Sequence, residues 1–288
     1  MTRVIGVIPT LRRDLPSLTR LSEQLRDAGV EPVLVATGAG VDRALTAAGI
    51  SHVSPRANPG FGAAIGFGAA QADFDWLVVC NDDISIDGPG FGATIAELVG
   101  HRGGQRVLAF FDPGPRRAVP GPTGVFTSIA LIDAIARRLR LPARPVRGAW
   151  YKSFSLCAIS APLWRELGGF DPRLPYTYED ADFAARAFAA GATLLDVSEG
   201  GVAHEGSGTS RGLVARVLPV SVHSARQYLR ARGIPWPAAT GLVAGALLVR
   251  ALVVPVVALP RGEHWRAVAR SLRHLLGPAP VLPAYEEC

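Results

Sequence analysis

The chain has 288 residues, 49% hydrophobic and 19% charged, which is enough apolar material for a large core and excludes a disordered or fibrous chain. Its formal charge of +6 is unevenly spread. Residues 209–288 hold ten arginines against three acids, and the rest of the chain is close to neutral. The three cysteines, Cys80, Cys157 and Cys288, exclude a disulfide framework and a cysteine zinc site.

The first apolar run, Val4–Ile8, predicts a buried strand. It is too short for a secretory leader, so the first domain is expected in the cytoplasm. Leu15, Leu18, Leu21, Leu25 and Ala28 recur at intervals of three and four, one apolar helix face that Gly29 ends. Pro32–Ala36 predicts a second strand and residues 41–48 a short helix. The Gly/Ala-rich stretch Asn58–Ala72 reads as a helix able to pack closely on a sheet, and Trp76–Cys80 as a third, fully apolar strand. This rhythm predicts an α/β fold with a mostly parallel, Rossmann-like sheet flanked by helices.

Residues 112–123 read as a Pro/Gly-rich loop. Ser155–Ile159 is a further apolar stretch, followed by Leu163–Leu167 and the Gly168-Gly169 break. Glu179–Ala190 predicts a helix and Thr193–Val197 a strand. Composition shifts near Ser210, so residues 1–210 are expected to form the globular domain and 211–288 a basic, apolar helical region.

In that region, Ala238–Pro260 carries one charge, Arg250, over 23 residues. The length suits a bilayer span. A mid-helix Arg costs about 2.5–3.5 kcal/mol on insertion scales, and Pro255 interrupts the helix, so spanning, re-entrant and surface placements stay open. Next, Trp265, Val268, Leu272 and Leu275 share one helix face while Arg266, Arg270 and Arg273 share the other. That pattern fits a basic helix lying on an anionic membrane surface; it also fits a helical cap on the sheet domain. Nucleic acid is not expected, because the basic groups alternate with aliphatic rather than aromatic residues.

Four segments carry groups suited to chemistry. Asn81-Asp82-Asp83 follows the strand 76–80, and ligands of open parallel sheets bind beyond the carboxyl ends of strands. Adjacent carboxylates there repel unless a cation compensates, and Mg²⁺ or Mn²⁺ accepts carboxylate oxygens while leaving positions for a diphosphate. A polar turn with a capping acid is the alternative. Glu179, Asp180 and Asp182 crowd the start of a helix, more acids than capping requires. His204 opens a Gly/Ser-rich loop suited to an anion. Asn58–Gly68 offers a glycine pattern like a dinucleotide loop, but it does not follow the first strand of a βαβ unit.

In order along the chain, Asn58-Pro59-Gly60-Phe61, Asn81-Asp82-Asp83, Gly168-Gly169-Phe170-Asp171, Tyr178–Asp182 and His204 resemble the family-2 glycosyltransferases of GT-A fold, nearest their rhamnosyltransferase-like branch. The resemblance runs from about Val4 to Thr209. It implies an inverting transfer of a hexosyl or deoxyhexosyl group from a nucleotide-diphospho-sugar to a hydroxyl of a lipid-linked or cell-envelope glycan. Asp83 and Asp82 with His204 would hold Mg²⁺ or Mn²⁺, and Pro9, Thr10, Asn58, Gly60, Phe61, Asn81 and Asp82 would line the donor site. Asp180 would be the general base, supported by Glu179 and Asp182. The second strand lacks the acid that reads the nucleobase in that family: Val35–Gly40 has none before Asp42. A nucleotide-dependent oxidoreductase using Gly60–Gly68 and an inactive membrane-bound partner protein are the competing readings. Location at the inner face of the cell membrane is the accompanying expectation.

Overall fold

The computed structural model describes residues 2–86, 90–141, 146, 148–197, 201–204, 214–255, 261–280 and 282. Three parallel strands begin the central sheet: β1 (Val4–Thr10), β2 (Glu31–Ala36) and β3 (Trp76–Cys80). β5 (Val107–Phe110), β8 (Leu156–Ser160) and β9 (Thr193–Asp196) complete it in the order β2-β1-β3-β8-β5-β9. β8 runs antiparallel to both neighbours, while β5 and β9 are parallel. The sheet is therefore mostly parallel, as its apolar strands predicted, with one reversed strand that no periodicity announced. A short ladder pairs β4 (Ile84–Ile86) with β10 (Val202–His204), and another pairs β6 (Arg117–Ala118) with β7 (Trp150–Tyr151).

Alternation along the strands divides the core in two. Val4, Ile8, Trp76 and Val78 face one layer formed by α1 (Leu15–Asp27), α2 (Ala39–Ala47) and α4 (Gly90–His101). Ile5, Val7, Leu77 and Val79 face the other, formed by α3 (Phe61–Ala69), α7 (Ala161–Leu167) and α8 (Glu179–Ala189). There Phe154, Phe170 and Phe183 meet edge-on or tilted at 5.1–5.7 Å between ring centres. Such pairs add about 0.5–1.5 kcal/mol each beyond the area buried.

α3 begins at Phe61, three residues later than the sequence predicts, because Gly60 takes φ +81°. A Cβ at Gly60 would stand 2.2 Å from the Pro175 carbonyl, so the Asn58–Phe61 loop is pressed against the segment before α8. Two further glycines of this segment serve packing of this kind, Gly62 against Phe170 and Gly68 against Val7 and Val35, whereas Gly66 has open space around it. The loop that does follow β1, residues 11–14, contains no glycine. This removes the structural basis of the oxidoreductase reading.

The predicted 112–123 loop contains β6 and leads into α5 (Pro122–Ile129) and α6 (Ile132–Arg138). α9 (Val214–Ala231), α10 (Trp236–Val253) and α11 (Arg261–Leu276) then form a third cluster with α5. The apolar face of α11 is occupied: Ala267, Val268 and Leu275 are buried and the helix packs on α9. The sequence left a lipid surface and a helical cap both open for that face; here protein covers it, and Trp265 of the same stripe stands outside. α10 is long and apolar enough to cross a membrane. Its inward face includes Arg250, buried with Nη1 donating to the Ile129 carbonyl at 3.0 Å. The expected boundary near Ser210, the Glu205–Thr209 loop and residues 256–260 of the apolar stretch lie outside the described residues.

Candidate active site

β1 and β3 are parallel, so Thr10 and the Asn81-Asp82-Asp83 turn emerge at the same sheet edge. Thr10 Oγ1 donates to Asp82 Oδ2 at 2.8 Å, and Thr10 Oγ1 in turn accepts the Arg12 amide at 3.0 Å. The Arg12 guanidinium donates to the Asp82 carbonyl at 3.2 Å and faces its carboxylate at 3.8 Å. Burial nevertheless holds the Asp82 carboxyl above its ordinary value, with the Thr10 hydroxyl and Arg12 pulling it down. Asp83 is 2% exposed. Directly after it, Ile84 of β4 stands opposite His204 of β10, which brings a backbone 120 residues distant in sequence beside the two carboxylates. Pro9 is paired within β1–β2.

Because β8 runs against β3, the residues just before it meet the same edge. The Asn81 amide donates to the Ser155 carbonyl at 2.7 Å, and the Phe154 amide donates to Asp180 Oδ2 at 3.2 Å. Two consecutive residues, Phe154 and Ser155, thus join the carboxylate turn after β3 to the acid at the start of α8. Thr177 and Tyr178, both at φ 67°, turn the chain into that helix. A left-handed β-branched residue is uncommon, and such positions cost about 1–3 kcal/mol each unless the surroundings impose them.

Here the surroundings include α9. Ser224 Oγ accepts the Tyr176 amide at 3.4 Å, Tyr228 stacks on Tyr178 at 5.0 Å, and Arg232 pairs with Asp182 at 3.3 Å. Spacing of four residues puts Ser224 and Tyr228 on one face of α9, with Arg232 just past its end. Asp182 also binds Arg186 at 2.8 Å, so both of its oxygens are engaged and its part is to anchor α8. Glu179 and Asp180 are the acids left facing the interior. Burial pushes Asp180 up to about 6, with the Phe154 amide and Arg117 opposing and Asp112 adding to it. Burial, then the Asp180 charge, pushes Glu179 up to about 8, and its buried Oε2 has no hydrogen-bond partner. The pair titrates together, with Glu179 holding a proton at neutral pH while Asp180 is mainly ionised.

Asn58, Gly60 and Phe61 support the 170–175 segment. Asn58 Oδ1 accepts the Gly60 amide at 3.2 Å, and Phe61 meets Phe170 at 6.5 Å. Asp42, the first acid after β2, is taken up by His52 Nε2 at 3.0 Å and by the Ser54 hydroxyl.

Sequence reasoning missed a second tier. Asp112 accepts the Ser155 hydroxyl on one oxygen and the Gly114 amide on the other at 2.7 Å. Lys152, the single lysine of the chain, donates to the Asp112 carbonyl at 2.8 Å and to Asp196 at 2.7 Å. These bonds hold the Phe154-Ser155 junction from the side of β5 and β9. Tyr151 and Arg117 stand opposite each other on the β6–β7 ladder, and the Arg117 charge lowers the Asp180 carboxyl. The presence of one lysine in an arginine-rich chain was the visible signal, and nothing in its spacing gave it a role.

No protein-family model and no curated protein matches the sequence. Solved structures do match. The chain is similar to the mannosyltransferase PcManGT from Pyrobaculum calidifontis, solved in complex with GDP-Man and Mn²⁺, at 14% identity and a TM-score of 0.51. That likeness covers 95% of this chain and 87% of the other. S. aureus TarS 1-349 also matches, at 14% identity and a TM-score of 0.46, over 95% of this chain and 92% of that one. The chain shares the fold of that mannosyltransferase, a mostly parallel sheet flanked by helices.

Proposed function

We propose that the protein is a metal-dependent, inverting glycosyltransferase that moves a sugar from a nucleotide-diphospho-sugar to a hydroxyl of a lipid-linked or cell-envelope acceptor at the inner face of the membrane. One observation carries the reading. The Phe154-Ser155 junction brings Asp180, half-buried and mainly ionised, to the sheet edge that bears Asp82 and Asp83. The ordered motifs support placement in family 2, on its rhamnosyltransferase-like branch.

Asp180 takes the proton of the acceptor hydroxyl as its oxygen bonds to the anomeric carbon. The bond to the diphosphate breaks on the opposite face, so the configuration inverts. A base with a pKa of about 6 is ionised at neutral pH yet basic enough to accept a proton. Glu179, protonated at neutral pH, offers a hydrogen-bond donor beside it. Asp83, Asp82 and His204 supply hard carboxylate oxygens and an imidazole, a donor set that fits Mg²⁺ or Mn²⁺. Among the described residues no three His, Cys, Asp or Glu side chains converge on one point. Asp82, Asp83 and His204 would hold such an ion. Bound, it would neutralise charge on the departing diphosphate. Thr10 and Arg12 hold Asp82 in place for that task.

The test is Asp180→Asn with a panel of nucleotide-sugars. Loss of transfer by about 10²–10⁴-fold, with Mn²⁺-dependent nucleoside diphosphate binding retained, is the expected result. Undiminished transfer would remove Asp180 from the mechanism. An inactive partner protein would show no turnover with any donor.

A further inference from the structure

Ten large hydrophobic side chains stand exposed among the described residues, and four of them gather at one element. Ile132, Leu139, Leu141 and Val146 lie on α6 or in the chain just after it; Leu248 and Leu252 lie on the outer face of α10. Arg250 reaches the Ile129 carbonyl from the inward face of α10, so Leu248 and Leu252, two residues to either side of it, face away from α5, and only the α6 group stands beside the α5–α6 junction. α6 has no buried residue at all. Leu139 is 64% exposed and Leu141 58%, two large apolar side chains close together on one exposed segment.

Charge decides what covers this surface. Arg137, Arg138 and Arg140 alternate with Leu139 and Leu141, all five exposed. From 131 to 141 Asp133 is the single acid. A second copy of the chain would set guanidinium against guanidinium. Nucleic acid would find leucine where stacking calls for aromatics. An anionic bilayer matches both features: leucines enter the headgroup boundary while arginines stay among phosphates. The location is also apt, because the chain leaves this surface into β7, where Tyr151 stands beside Glu179 and Asp180.

We propose that α6 and Leu139–Leu141 directly after it form a docking surface for an anionic lipid bilayer, which presents a lipid-borne acceptor to the Tyr151–Asp180 side of the site. The acceptor part rests on the glycosyl-transfer reading; the docking part does not. α11, whose apolar face is spent on α9, is not the docking helix.

The full chain would be sedimented with vesicles of phosphatidylglycerol and phosphatidylcholine, and with phosphatidylcholine alone. Binding is expected to the anionic vesicles and to fall with salt. Each guanidinium removed (Arg137→Gln, Arg138→Gln, Arg140→Gln) is expected to weaken it about fivefold. Leu139→Ser with Leu141→Ser is expected to weaken it about tenfold or more, at unchanged melting temperature since both leucines are exposed. Arg270→Gln with Arg273→Gln on α11 serves as the control and should stay within about twofold, a distance-discounted share of the same field. Equal binding to neutral vesicles, binding indifferent to the leucine pair, or a larger loss from the α11 pair would each overturn the proposal. So would a dimer that the leucine pair dissolves. Asp180→Asn should bind vesicles as the parent does, so loss of docking and loss of catalysis are read separately.

Discussion

Replacing Glu179 by Gln isolates the electrostatic claim at the heart of the site. Its carboxyl titrates at about 8 instead of the ordinary 4.5, mainly because it is buried. Between those values the folded chain holds a proton that the unfolded chain releases, so folding stability falls as pH rises through the window. Each unit is worth about 1.4 kcal/mol, which sums to about 5 kcal/mol by pH 8. Gln carries no such penalty. It does place an amide NH₂ where Glu179 Oε2 now has no partner, at a cost of about 1–3 kcal/mol. The variant should therefore be less stable than the parent by about 1–3 kcal/mol at pH 5 and more stable by about 2–4 kcal/mol at pH 8. Urea denaturation from pH 5 to 9 measures both. Parallel stability curves for the two proteins would mean that Glu179 is ionised like any surface acid, and the assignment of a protonated neighbour for Asp180 would fall.

Asp112→Asn removes a negative charge that faces Asp180 and loosens its hold on Ser155. The acid limb of the kcat/KM profile should move to lower pH, and kcat should fall about tenfold as the Phe154-Ser155 junction slackens; a fall in kcat without the shift would reduce Asp112 to a structural part. Gly60→Ala adds a left-handed penalty of about 1–2 kcal/mol and a collision with the Pro175 carbonyl, so a loss of about 3 kcal/mol or more is expected by denaturant melt. Gly66→Ala, in α3 with nothing near its added Cβ, should instead stabilise by about 0.5–1 kcal/mol.

The parts of the fold that the sequence made legible are those with a clean period. Val4–Ile8, Pro32–Ala36 and Trp76–Cys80 are unbroken apolar strands, and the leucines of α1 mark one face. The site's acids were legible for a different reason: Asp82–Asp83 and Glu179–Asp180 put more charge at an element's end than a cap needs. What escaped was set by pairing between distant segments. Nothing local to Leu156–Ser160 says that it runs antiparallel, yet that reversal is what carries Phe154 to Asp180. Likewise Ser224, Tyr228 and Arg232 look like an ordinary amphipathic stripe until α8 is laid across them, which ties the C-terminal helices to the site. The α11 face that suggested lipid was legible as apolar but silent on its partner. Averaging the charge of residues 1–208 to near zero hid Arg137, Arg138 and Arg140, whose local excess becomes visible only on an exposed helix.

The central claim is that one crevice at the sheet edge, between the turn after β3 and the start of α8, holds the donor diphosphate and its cation. Crystals grown with a nucleoside diphosphate and Mn²⁺ locate the ion directly through its anomalous scattering. The account predicts a single strong peak within coordination distance of Asp83, bridged to diphosphate oxygens, with the Asp180 carboxylate facing the same cavity. A peak elsewhere, or a nucleotide seated at the opposite edge of the sheet, would contradict it.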